Sequence, residues 1–221
     1  MTRDRANLLS YLFIVAAVAV AAFLYPRLPD AVPTHWNIEG EADGYMSKPW
    51  GVIVLPLAAI LVFVVMRLIP VISPKGYRTE SFANVVHIFQ VTAVGFTSLV
   101  AILALLTGSG MNVPLNEVIF AALGVMFMII GNYMGKTRKN FFLGIRTPWT
   151  LASDEVWGRT HRVAGRLFIL LGLMMLAGVV FEVPVWLLIG MVGVIVVVPV
   201  VYSYVIYRKV EGFGEGDGSV R

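Results

Sequence analysis

Six long apolar runs dominate this chain, at approximately residues 7–25, 51–69, 84–107, 115–134, 164–182 and 185–207. Each approaches or exceeds the ~20 residues that a helix needs to cross a ~30 Å hydrocarbon core. Lipid offers the backbone no hydrogen-bond partners, so a run of this kind must satisfy its own amides by coiling. The expected fold class is therefore all-α: a polytopic membrane protein with six transmembrane helices. Starting the chain in the cytoplasm puts 15 of the 17 Lys and Arg residues on one face. They are Arg3 and Arg5; Arg67, Lys75 and Arg78; Lys136, Arg138, Lys139, Arg146, Arg159, Arg162 and Arg166; and Arg208, Lys209 and Arg221. Only Arg27 and Lys48 fall on the other face. Cytoplasmic loops collect such residues, so both termini are expected in the cytoplasm.

A net charge of +4 would point to nucleic acid in a soluble protein. Here the basic residues flank apolar runs, and only 14% of residues are charged against about 25% in soluble domains. Membrane lipid is the expected partner and nucleic acid is not. The absence of Cys excludes disulfides and thiolate chemistry. The first run resembles a signal peptide in its basic start, but it exceeds the ~7–15 residues of a signal h-region. An uncleaved signal anchor is expected, with cleavage as the alternative.

Three segments follow: a two-helix unit over 1–80, a four-helix unit over 81–210, and a disordered Gly-rich tail over 211–221. Pro56 and Pro199 should kink their spans without breaking them. Two loops are too long to be mere turns, 26–50 outside and 135–163 inside, and function is sought there.

In the outside loop, Pro26, Pro29 and Pro33 forbid a helix, while Gly40 and Gly44 permit turns. Asp30, Glu39, Glu41 and Asp43 against Arg27 and Lys48 leave a net charge of −2. A rigid, aromatic, anionic surface of this kind suits a cationic or amphipathic ligand. His35 with Glu39 and Asp43 raises a metal site, but zinc needs three or four defined ligands and the glycines oppose a common helix face. No metal or cofactor is expected; His35, Trp36 and Asn37 are expected to tie the loop down at the membrane surface.

In the inside loop, Phe141, Phe142, Leu143 and Ile145 are apolar outside any span. They should lie in the interface or fold back into the bundle. Ser153 can cap a helix whose first turn holds Asp154 and Glu155, and this helix can run directly into the fifth span. Trp157 and His161 then share one face, and Arg159, Arg162 and Arg166 another. An interfacial helix, basic toward headgroups and with an aromatic anchor, is the plain expectation. A docking face for a cytoplasmic partner or an anionic ligand is the sharper one. His161 has no Ser, Cys or metal cluster beside it, so no catalytic residue is expected.

The middle thirds of the spans hold no Asp, Glu, Lys or Arg, which counts against a pump or coupled transporter. Asn84, His87 and Gln90 form a polar stripe suited to helix–helix hydrogen bonds, and Gly131 with Gly135 form a GxxxG element that allows close helix contact.

Residues 28–48, LPDAVPTHWNIEGEADGYMSK, resemble the extracytoplasmic motif of a small bacterial membrane domain. The match includes His35, Asn37, Gly40 and Asp43. Residues 131–165, with GNYMGKTRKNFFLGIRTPWTL and VWGRTHRVAG, resemble the second signature of the same proteins, the SdpI-type immunity family. There the match includes Asn132, Asn140, Gly144, Arg146, Thr147, Pro148, Trp149, Trp157, His161 and Gly165. The resemblance implies a non-enzymatic membrane protein of the bacterial cytoplasmic membrane that protects its cell from a secreted, membrane-active toxin peptide. It also implies, as an alternative, a receptor that holds a cytoplasmic transcriptional repressor. A small-molecule transporter or channel is the third alternative. Candidate toxin-binding residues are Pro33, His35, Trp36, Asn37, Gly40, Asp43 and Lys48. Candidate partner-binding residues are Asn140, Gly144, Arg146, Trp149, Trp157, Arg159, His161 and Arg162.

Overall fold

The structure is a computed structural model and describes residues 1–37, 40–77, 79–181 and 183–212. Glu39, Arg78 and most of the tail, including Arg221, lie outside the described residues. Among the described residues, six helices are long and apolar enough to cross a membrane: α1 (Arg3–Leu24), α2 (Lys48–Ile72), α3 (Ala83–Gly108), α4 (Leu115–Met134), α6 (Asp154–Val180) and α7 (Val185–Val210). A one-turn helix, α5 (Pro148–Ala152), precedes α6. The chain is a multi-pass membrane protein. Helices α2 and α7 run unbroken through Pro56, Pro70 and Pro199.

Burial is inverted relative to a soluble bundle. Large apolar side chains such as Leu12, Phe23, Leu61, Val65, Ile189 and Val196 face outward. The buried face of α1 is made of Ala6, Ser10, Ala17 and Ala21. Apolar contact between helices gains little over contact with lipid, so small residues that let backbones approach mark the interfaces. Gln90 of α3 donates to Ser10 (3.1 Å) and Asn7 (3.4 Å) of α1, so the polar stripe bonds helix to helix there. Helix α3 packs chiefly on α1 and α2 and less on α4, although a division at residue 80 groups it with the later helices.

Helices α4 and α6 make the most extensive pairing. Their contact is built on glycine: a Cβ at Gly165 would lie 2.5 Å from the Gly131 carbonyl oxygen, and one at Gly172 would lie 2.5 Å from that of Gly124. The two glycines of each helix are seven residues apart and the helices run antiparallel, so the glycines meet at two levels. Gly131 thus packs against another helix of the same chain. Gly135, its GxxxG partner in sequence, instead faces Arg162.

The outside loop carries the departure from helix. It forms an antiparallel hairpin of β1 (Ala31–Trp36) and β2 (Ala42–Ser47), with irregular register around His35. Gly40 sits in the connection with φ +84°, where a turn needs glycine. Gly44 is not in a turn, contrary to expectation; it lies in β2 opposite His35, where a Cβ would meet the histidine Cβ at 2.8 Å.

Candidate functional site

The two ordered loops occupy opposite ends of the bundle. The hairpin rests on the end formed by Leu24, Val52, Leu105 and Gly108. The other loop, 135–153, rests on the opposite end, against Met66, Ile69, Phe82, Val85 and Val86.

Alternation along β1 explains how the hairpin is seated. Val32 is fully buried among Ala21, Leu24, Leu28, Val52 and Leu105, while His35 points away. His35 Nδ1 donates to Asp43 Oδ1 across the strands at 2.5 Å, and both side chains are largely exposed. The Asn37 side chain accepts the Glu41 amide at 2.9 Å, and the backbones of 37 and 41 bond at 3.0 Å, which closes the tip. Lys48 clamps the base: its amide donates to the Asp30 carbonyl at 2.8 Å and its Nζ to the Leu28 carbonyl at 2.7 Å. Its ammonium also lies 5.0 Å from the Tyr25 ring centre. Arg27 stands over Phe23. Both cations of the loop are therefore engaged, while Asp30, Glu41 and Asp43 remain exposed beside Tyr45 and Trp50. Among the described residues no group of three His, Asp or Glu assembles. Trp36 and Pro33 are half-buried against the bundle.

At the other end, Asn140 is completely buried and uses its whole amide. Its Oδ1 accepts from the Phe142 (2.9 Å) and Leu143 (2.7 Å) amides, and its Nδ2 donates to the Arg138 (2.8 Å) and Leu143 (3.0 Å) carbonyls. That turn folds Phe142 and Leu143 back onto α2 and α3, and the Phe141 ring packs on Tyr77 at 4.2 Å. Asn140→Ala would strand two partly buried amides, at up to about 1–3 kcal/mol each. Trypsin in detergent should then cut the 136–146 segment much faster than in the wild type; unchanged cleavage would refute this role.

Thr147 begins α5 through a reciprocal cap: the Thr150 amide donates to Thr147 Oγ1 at 3.1 Å and the Thr147 amide to Thr150 Oγ1 at 2.9 Å. Thr147 also bonds Ser203 of α7 at 3.0 Å, and Trp149 packs edge-on against Tyr204. Ser153 caps α6 by accepting the Val156 amide, as its sequence context predicts.

Trp157 and His161 face inward. Trp157 is 2% exposed and His161 0%; an anchor in the headgroup layer is therefore not what Trp157 is. Its Nε1 donates to the Thr137 carbonyl and hydroxyl at 3.2 and 3.3 Å, and its ring stacks on His161 at 4.0 Å. His161 Nδ1 donates to the Trp157 carbonyl at 2.8 Å and Nε2 accepts the Ile145 amide at 2.9 Å. One donor and one acceptor describe a neutral imidazole with its proton on Nδ1. Both nitrogens are committed, so His161 has no lone pair for general-base work. Gly144, with φ +101°, lies against the His161 ring.

Arg159, Arg162 and Arg166 do line the exposed side of α6. Glu155 holds Arg159 at 2.6 Å, and the Phe141 carbonyl accepts from Arg146. Of the partner-binding candidates, Asn140, Trp157 and His161 thus brace the loop internally, Trp149 is half-buried, and Arg146, Arg159 and Arg162 are exposed. Thr137, Thr150 and Ser203 were not singled out in the sequence. The TPWT run has the spacing of a cap with Pro at the first helical position, which is a usable signal for Thr150.

The SdpI/YfhL protein family matches residues 136–203, and a domain of unknown function (DUF1648) matches residues 12–60. Each match contains one of the two ordered loops. "Immunity protein SdpI" of Bacillus subtilis (strain 168) is 23% identical over 211 residues, covering 93% of this chain and 98% of that protein. No solved structure matches the chain. With both signatures in order along a six-span bundle, and a curated relative aligned nearly end to end, the chain is similar to the SdpI-type proteins.

Proposed function

We propose that this protein is a non-enzymatic immunity protein of a bacterial cytoplasmic membrane, which shields its cell from a secreted membrane-active peptide. The observation that carries it is the alignment to an immunity protein over 93% of the chain. In this reading both termini lie in the cytoplasm and the hairpin faces outside. A cationic or amphipathic peptide would meet Asp30, Glu41 and Asp43 beside Tyr45 and Trp50, with no unpaired cation of the loop to repel it. The test expresses the chain in toxin-sensitive cells and follows survival and membrane potential. Values equal to those of the empty vector would defeat the reading for that toxin. Asp43→Asn with Glu41→Gln should lower protection by about tenfold, the effect of losing a charge-assisted contact of ~1.4 kcal/mol, at unchanged protein abundance.

A second reading, capture of a cytoplasmic repressor, is favoured by the exposed arginine row of α6. Arg159→Glu with Arg162→Glu should abolish pull-down of an acidic regulator and leave toxin protection intact.

A further inference from the structure

We propose that a polar pocket beside α6, at the end of the bundle that carries the N-terminus, binds a phosphate group, either on an anionic lipid headgroup or free. The pocket holds about 490 Å³ between the 135–139 segment, the first turns of α6 and the α2–α3 connection. Arg138, Lys139 and Arg162 line it together with Ser81, against the single carboxylate of Asp154. Asp154 is drawn to Lys139 at 3.5 Å, but its side chain is 83% exposed, so that pair is weak.

The two guanidiniums differ from two arginines near them in the chain. Arg159 is held by Glu155, and Arg146 by a backbone carbonyl. Among the described residues, Arg138 and Arg162 make no ion pair and donate to no protein acceptor. Each offers five donors in a rigid fork, and phosphate oxygens match that fork two at a time. Two such forks lining one concavity, Arg138 from the 135–139 segment and Arg162 from α6, can converge on a single phosphate.

Glycine keeps the cavity open. A Cβ at Gly135 would stand 3.1 Å from Arg162 Cγ, and one at Gly158 would stand 3.4 Å from its Nη1. Bare backbone at both positions leaves room along the arginine stem and at its head. Trp157 lies at the back of the pocket, almost wholly buried. Gly135 caps the C-terminus of α4, so the pocket opens where a span leaves the hydrocarbon, at headgroup depth. Anionic headgroups are the most abundant phosphate there. The inference holds whether or not the chain confers immunity.

Native mass spectrometry of the full chain in neutral detergent, with phosphatidylglycerol or phosphatidylcholine added, tests it. Retention of one phosphatidylglycerol in preference to phosphatidylcholine is expected. Arg138→Gln with Arg162→Gln should lower that retention by at least about tenfold, as the loss of two charge-assisted contacts requires. Gly158→Leu, which keeps every charge and fills the cavity, should lower it as well. Should that variant not fold, Ser81→Leu on the opposite wall is read the same way. If inorganic phosphate alone raises the melting temperature of the wild type and not of these variants, the free ion is the occupant; if only the lipid does so, the headgroup is. Equal retention by wild type and variants would overturn the proposal. So would loss in the charge variant without loss in the cavity-filling one, which would mean diffuse attraction to a basic surface. Binding of an acidic peptide with no response to either phosphate source would overturn it too.

Discussion

Gly165→Val is expected to lower stability by about 3 kcal/mol, the upper part of the range for overpacking. The side chain would have to occupy space held by the Gly131 carbonyl, where even a Cβ falls at 2.5 Å. Backbone cannot rotate away as a flexible side-chain end could, so α6 must move off α4. The same displacement would part Gly172 from Gly124 one level further along, because the two contacts share one helix pair. It would also pull Trp157 and His161 off the loop they support. Melting followed by size-exclusion chromatography in detergent would show an earlier loss of the monodisperse peak. Gly193→Ala is the control: nothing lies within 4 Å of its would-be Cβ, so it should be neutral or gain up to about 1 kcal/mol of helix propensity. Equal melting of Gly165→Val and wild type would refute the close approach of the two helices.

Gly144→Ala should be comparably damaging, for two reasons that act together. Its φ of +101° suits glycine, and another residue held there is strained by about 1–3 kcal/mol. A Cβ would also be driven into the His161 ring. Moving that ring breaks the bond from the Ile145 amide and leaves a partly buried donor unpaired, at about 1–3 kcal/mol more. The expected signature is a lower melting temperature together with a red shift in tryptophan emission as Trp157 gains water. A variant that melted like the wild type with unshifted emission would disprove the Gly144–His161 contact.

Much of this architecture is visible in the residue order. The spans follow from hydropathy because a ~30 Å hydrocarbon core imposes a length and a helical backbone on any segment that crosses it. Ser153 followed by Asp154 and Glu155 announces the start of α6, since capping is a local interaction among neighbours in sequence. The prolines of the outside loop exclude a helix for an equally local reason. The hairpin itself was less visible: His35 and Asp43 meet only because β1 and β2 pair, and the irregular register around His35 puts Gly44 in a strand rather than a turn.

The candidate site was legible in its membership and not in its orientation. Trp157 and His161 share a helix face by spacing, as do the three arginines, but spacing does not say which face turns inward. Near a membrane surface an aromatic can sit in the headgroups or in the core with equal ease on composition alone. Here the choice was made by Thr137, Ile145 and Gly144, which offer the two rings hydrogen-bond partners and a bare backbone to lie against.

The order of residues by itself determined six crossings, a basic end and two structured loops, because each depends on the chain's encounter with lipid or on contacts a few positions apart. Only the tertiary structure decided that α3 sits chiefly on α1 and α2, that two glycine pairs join α4 to α6, that Trp157 and His161 are internal braces, and that Arg138 and Arg162 share a cavity. Those outcomes rest on contacts between helices, and apolar faces in lipid specify their partners weakly until backbones come close enough for shape and hydrogen bonds to discriminate.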